Sequence, residues 1–205
     1  QKIISEIGDL HYDYLVIATG SKTNYFGNKE IERNAMSMKT IPQSLNIRSF
    51  ILENFEQAVL TKDEADRNAL MNFVLVGAGP TGVELAGALA EMKKEILQKD
   101  YPDLDISKMQ INLIQSNDRV LNTMSEKSSI AAEKFLDNLG VKVWKNVRVT
   151  NYDGRTISTN TDLSIESLTV IWTAGVQGAI VHGLDAKSLV ERVERIRVNR
   201  FNQVN

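Results

Sequence analysis

Phe73-Val74-Leu75-Val76-Gly77-Ala78-Gly79-Pro80-Thr81-Gly82-Val83-Glu84-Leu85-Ala86-Gly87 is the stretch that decides the fold. Four apolar residues run uninterrupted into three spaced glycines and then into helix-forming sequence. A continuous apolar run predicts a strand covered on both faces, as in a parallel sheet. Gly77 suits a tight turn out of that strand. Gly79 leaves the backbone open to an approaching pyrophosphate, and Gly82 lets the following helix pack close. The N–H groups and positive dipole end of that helix would face the phosphates. A glycine-spaced triplet alone is weak, but here strand, loop and helix agree, and the pattern points to a dinucleotide site formed by Gly77, Ala78, Gly79, Pro80, Thr81 and Gly82. Thr81 can cap the helix or touch phosphate. Glu84 reads equally as a carboxylate complementing the helix dipole or as a functional group.

Outward from this unit the chain predicts an α/β fold, a Rossmann-type parallel sheet with helices on both faces and an antiparallel β-meander. Downstream, a helix is expected over 81–98 with Leu85, Leu89, Met92 and Ile96 in one stripe, then a strand over 111–114. A second helix over 125–139 would bury Ala132, Phe135, Leu136 and Leu139, with Gly140 at its C′ position, before a strand over 141–144. Val147, Val149, the Asp153-Gly154 turn, Ile157 and Leu163 predict the meander. Leu168 to Trp172 predicts a closing strand that ends in Thr173-Ala174-Gly175. Upstream, residues 1–20 read as a hairpin turning at Gly8-Asp9 into the run Tyr14–Ile17, residues 21–43 as a polar linker, 44–60 as a helix and 61–68 as solvated. Residues 183–194 read as a short helix, with a strand at Ile196 and Val198. Three segments follow: 1–43 as a hairpin and linker, 44–176 as the dinucleotide-binding domain, and 177–205 as a return segment.

The 205 residues are 42% hydrophobic with a formal charge of −2, which gives no nucleic-acid footprint. The apolar runs are too short to span a bilayer. There is no cysteine, so no disulfide, thiolate metal site or redox pair lies in these residues. His11 and His182 lack metal-ligand spacing, so no metal site is expected. The residue at the end of the second strand should read the adenosine ribose. Rossmann domains for NAD place Asp or Glu there, whereas this chain has Gln115, 33 residues after Gly82. Gln can bond a hydroxyl but does not repel a 2′-phosphate, so NADPH stays open beside NADH. Arg119, four residues on, reads best as a surface arginine.

Tyr12 to Gly20, Gly77 to Gly87 and Ile171-Trp172-Thr173-Ala174-Gly175-Val176 together resemble the type II NADH:quinone oxidoreductases, within the two-dinucleotide-domain flavoproteins. The resemblance implies a flavin-dependent NADH dehydrogenase of the respiratory chain: hydride passes from NADH to the N5 of FAD, and electrons go on to a quinone. It implies Ala18, Thr19 and Gly20 beside the flavin, and Glu84, Ala174 and Gly175 near the nicotinamide. No side chain need act as catalytic base. The first glycine loop of that family would precede Gln1, and its later flavin motif, quinone site and membrane-anchoring segments would follow Asn205. The chain thus reads as a fragment, inactive and FAD-free by itself, from a peripheral protein on the cytoplasmic side of the inner membrane. The resemblance leaves a homodimer open. Two other readings stay open: a ferredoxin reductase or NADH oxidase of the same superfamily, and a nucleotide-sensing module without turnover.

Overall fold

The computed structural model describes residues 1–190 and 194–204, which belong to two compact units: Gln1–Lys22 with Val176–Asn205, and Thr23–Gly175. In the first unit β1 (Lys2–Ser5) and β2 (Gly8–His11) form an antiparallel hairpin with Lys2 opposite His11. Its turn is Glu6-Ile7, two residues before the expected one, because Gly8, at φ +121°, follows the turn and opens β2. The run Tyr14–Ile17 forms no strand, and Tyr14 is 93% exposed: no strand among the described residues pairs with it. Next comes β3 (Ser21–Thr23).

The Thr23–Gly175 unit opens with α1 (Lys29–Asn34) and β4 (Met36–Ser37), where a linker is expected. A six-residue helix is too short to show apolar periodicity. Its signal is the cap, since the Asn28 side chain accepts from the N–H groups of Glu30 and Ile31. The compact unit accordingly begins at Thr23 rather than at residue 44. α2 (Ile41–Leu60) starts three residues early, because Thr40 and Gln43 close a capping box and Pro42 sits in the first turn. α3 (Glu64–Leu70) forms within the segment expected to be solvated, where residues 61–68 are exposed or half-buried; Asp63 caps it, and Ala69 and Leu70 beyond that segment are buried.

β5 (Asn72–Val76) leads through the glycine loop into α4 (Pro80–Met92), then a π-helical turn (Lys93–Leu97) and the short α5 (Gln98–Asp100). The π turn inserts one residue into the helical period and rotates the apolar face. Leu97 is therefore buried, while Ile96, placed in the stripe by a 3.6-residue period, is 49% exposed. A 3-10 turn (Ile106–Lys108), β6 (Gln110–Ile114), α6 (Glu126–Asn138) and β7 (Lys142–Trp144) follow. Ser125 caps α6, and Gly140, at φ +77°, ends it as expected. Leu136 faces the core, but Phe135 is 61% exposed; Ser129 takes an inward position and donates to the Val120 carbonyl.

The meander forms as β8 (Val149–Tyr152), β9 (Thr156–Thr159) and β10 (Ser164–Glu166), and β11 (Thr169–Trp172) returns to the main sheet. That sheet has the order β4-β11-β5-β6-β7, all neighbours parallel. Alternate residues serve opposite layers. Phe73, Leu75, Ile111, Leu113 and Ile171 pack with Phe55 of α2, Ala86 and Leu89 of α4 and Leu136 of α6. Val74, Val76, Ile114, Val170 and Trp172 pack with Ile31 of α1 and with Tyr152, Ile157 and Ile165 of the meander. The meander thus covers the face that a crossover helix would cover.

After Gly175, β12 (Val176–Gly178) pairs with β3. A 3-10 turn (Ala186–Ser188) stands where a longer helix is expected, and part of that expected helix, 191–193, lies outside the described residues. β13 (Leu189–Val190) pairs with β14 (Arg195–Ile196), and Val198 makes only a bridge to Val204. Among the described residues no helix is long and apolar enough to cross a membrane.

Candidate functional site

The three glycines of the loop differ in what the protein itself requires of them. Gly77 has φ +105°, and a Cβ there would lie 2.7 Å from the backbone of Ala174. A Cβ on Gly82 would lie 1.9 Å from the Gly77 carbonyl oxygen. Both positions are closed by the fold. Gly79 has an ordinary φ of −73°, and a Cβ there would meet nothing within 4 Å. Close packing therefore gives no reason for glycine at 79, whereas a ligand lying over the loop does.

Gly79 is also the N-cap of α4 and brings no side chain to accept from the helix's first N–H groups. Those groups stay available to an anion. Thr81 is the second helical residue and does not cap, contrary to one of its two readings. Glu84 is exposed at the fifth helical position, beyond the first turn, so complementing the dipole does not account for it.

Gln115 is 8% exposed at the end of β6. Its Oε1 accepts from the Ala78 N–H at 3.1 Å, and its Nε2 donates to the Arg119 carbonyl at 3.4 Å. Its main chain bonds the Trp144 carbonyl and the Val147 N–H at 2.8 and 3.0 Å. One residue thus joins the loops after β5, β6 and β7. Its amide is turned to the glycine loop, where the sequence reading has it free for a ribose. Arg119 donates to the Asn122 carbonyl at 2.9 Å.

Between the carboxyl ends of the strands and the meander lies a cleft of about 590 Å³. Val76, Gly77, Gln115, Ser116, Arg148 and Ala174 are among its lining residues. This is where open α/β sheets bind ligands, and the size suits one. Its aromatic wall comes from the segment 21–43, whose polar composition predicts a linker. Tyr25 and Phe26 set their rings 6.0 and 6.4 Å from that of Trp172, whose Nε1 donates to the Asn24 carbonyl at 2.9 Å. The only available signal was an aromatic pair inside a polar stretch. Phe26 adopts φ +53° and its ring stands 3.2 Å from where a Cβ on Gly175 would be; Gly175 itself has φ +95°.

The cleft brings together Gly77, Gln115 and Ala174, with Gly175 adjoining. Ala18, Thr19 and Gly20 belong to the other unit. There they line a smaller cavity of about 290 Å³, and the Thr19 hydroxyl donates to the Ala179 carbonyl at 2.5 Å.

A strand–glycine loop–helix unit, a meander in the last crossover and a cleft at the strand ends define one type of nucleotide domain. The family model for pyridine nucleotide-disulphide oxidoreductases matches residues 4–205. The chain belongs to that family. Among curated members it is similar to two type II NADH:quinone oxidoreductases of Mycobacterium tuberculosis. It is 37% identical to Ndh over 197 residues, covering 94% of this chain and 42% of that protein. It is 34% identical to NdhA over 212 residues, covering 100% and 44%. The chain thus spans less than half the length of these relatives. Among solved structures it is similar to NDH2 from Plasmodium falciparum in complex with NADH, with a TM-score of 0.79 at 26% identity over 86% of this chain and 38% of that one. A ferredoxin reductase from Rhodopseudomonas palustris shares the fold at 16% identity and a TM-score of 0.62. These relatives are the group that the motifs around Gly77 and Ala174 point to.

Proposed function

We propose that the Thr23–Gly175 unit of this family member binds NADH, and that the whole protein is a type II NADH:quinone oxidoreductase. The observation that carries the reading is Gly79, a glycine the fold does not need at a helix N-terminus bare of side-chain caps. In this reading the pyrophosphate lies over Gly77 to Gly82, held by the backbone N–H groups of Thr81 and Gly82 and by the helix dipole. The adenosine half lies toward Gln115 and Ser116. The nicotinamide half lies toward Ala174 and Gly175, with Glu84 on the same side.

The acceptor in this reading is FAD, which when bound takes two electrons from NADH and delivers them to the quinone. The described residues do not by themselves fit FAD: the chain has one glycine-rich phosphate loop, and NADH takes it. Ala18, Thr19 and Gly20 supply one edge of a flavin site in the terminal unit, which we read as part of a flavin domain. What this chain contributes is binding and orientation, with no side chain needed to move a proton. The same reading makes the whole protein a peripheral one at the inner membrane surface, and NADPH and a homodimer belong to it.

The test is NADH consumption by the full-length gene product with a soluble quinone as acceptor. Quinone-dependent oxidation is expected. NADH binding without it would leave a nucleotide-sensing module and overturn the enzymatic reading.

A further inference from the structure

Arg148 carries the only charge among the residues that line the cleft. Its N–H donates to Asn160 Oδ1 at 2.6 Å, which fixes the main chain. Its guanidinium has no hydrogen-bond or ion-pair partner among the described residues. The adjacent Val147 N–H bonds the Gln115 carbonyl at 3.0 Å, so Arg148 stands one residue from a main-chain link to Gln115. Ser116, next along β6's exit, lines the same wall. Arg119, the other nearby cation, is committed to the Asn122 carbonyl.

This end of the cleft therefore has three properties. The position that holds a carboxylate in NAD-specific domains is a neutral amide, tied to Ala78 and Arg119. No acidic side chain lines the wall. A forked cation whose donors have no partner among the described residues and a serine hydroxyl both line this cleft. A phosphate monoester is the ligand such a pair recognises, because the planar guanidinium offers paired donors to its oxygens.

We propose that Arg148, with Ser116, recognises the 2′-phosphate of NADPH, and that the chain accepts NADPH beside NADH for this reason. The proposal rests on the reading of the cleft as the nucleotide site. Gln115 permits the phosphate by not repelling it; Arg148 attracts it.

The experiment is calorimetric titration of the parent chain, Arg148→Ala and Arg148→Lys with NADH and with NADPH, at low and physiological salt. Arg148 is exposed, so the fold should tolerate both substitutions. Arg148→Ala should weaken NADPH roughly tenfold, the loss of one charged contact at a partly screened site, and leave NADH within about twofold. Arg148→Lys should keep part of the difference, and salt should weaken NADPH more than NADH. Unchanged NADPH affinity in Arg148→Ala, or equal losses for both nucleotides, would overturn the proposal. A parent that binds NADH but not NADPH would overturn this proposal alone, whereas a parent that binds neither would overturn the nucleotide reading beneath it.

Discussion

The side-chain oxygen of Gln115 accepts the backbone N–H of Ala78 at 3.1 Å, across 37 residues of sequence. This bond holds the glycine loop to the end of β6, and the other end of the same amide is spent on Arg119. Gln115→Glu keeps the acceptor for Ala78 but turns a second carboxylate oxygen toward the Arg119 carbonyl. It should cost about 1–3 kcal/mol of stability, the penalty for a buried polar group left without its partner. The new charge should also weaken NADPH roughly tenfold and NADH much less. Urea unfolding together with both dissociation constants checks this. Unchanged stability and unchanged NADPH affinity would show that the side chain neither braces the loop nor borders the ribose.

The π turn after α4 makes a sharper prediction about packing. Leu97, buried in the core, should cost about 2–5 kcal/mol when changed to alanine. Ile96, in the stripe expected from a regular helix, is half exposed and should cost under about 1 kcal/mol. Thermal denaturation of the two variants distinguishes them, and the reverse order would mean that the helix runs without the inserted residue.

Tyr152 gives a dependence on pH. Its ring is buried beneath β8, and its single hydroxyl proton is shared between the Gly154 and Ser167 carbonyls at 3.0 and 3.1 Å. Burial, and secondarily the Asp153 carboxylate, push its pKa up to about 12. The unfolded phenol ionises near 10, so the native state is the form that keeps the proton. The stabilisation is complete below about pH 10 and is lost as pH rises toward 12, a fall of about 2 kcal/mol. Tyr152→Phe should be less stable by about 1 kcal/mol at neutral pH and should lack this alkaline slope. A slope retained in Tyr152→Phe would assign it to another group.

Much of the fold was legible because it is written in short-range signals. The unbroken run Phe73–Val76, the glycine spacing, and the alternation from Val147 to Leu163 each name an element directly. What was illegible depended on tertiary context. The six residues of α1 and the two of β4 are too few for periodicity, so the whole edge of the sheet read as linker. The π turn exchanges Ile96 for Leu97 without any mark in composition. At the site, the glycine loop and the Ala174-Gly175 turn were readable as motifs, and Gln115 by its place after a strand. That the Gln115 amide would turn inward to Ala78, that Tyr25 and Phe26 would wall the cleft, and that Arg148 would line it follow only from the packing of strand ends distant in sequence.

The central claim is that Gly79 is a glycine for the sake of a ligand, while Gly77 and Gly82 are glycines for the sake of the fold. Calorimetric titration of the chain with NADH, comparing the parent with Gly79→Leu and using Gly82→Ala as a control of the fold, tests it most directly. A leucine at 79 points into open space in the protein and should leave thermal stability within about 1 kcal/mol. It should abolish measurable NADH binding, a loss of roughly a hundredfold or more from blocked phosphate contacts. Gly82→Ala meets the Gly77 carbonyl and should lower stability by about 3 kcal/mol or more. NADH affinity in Gly79→Leu equal to that of the parent would contradict the account.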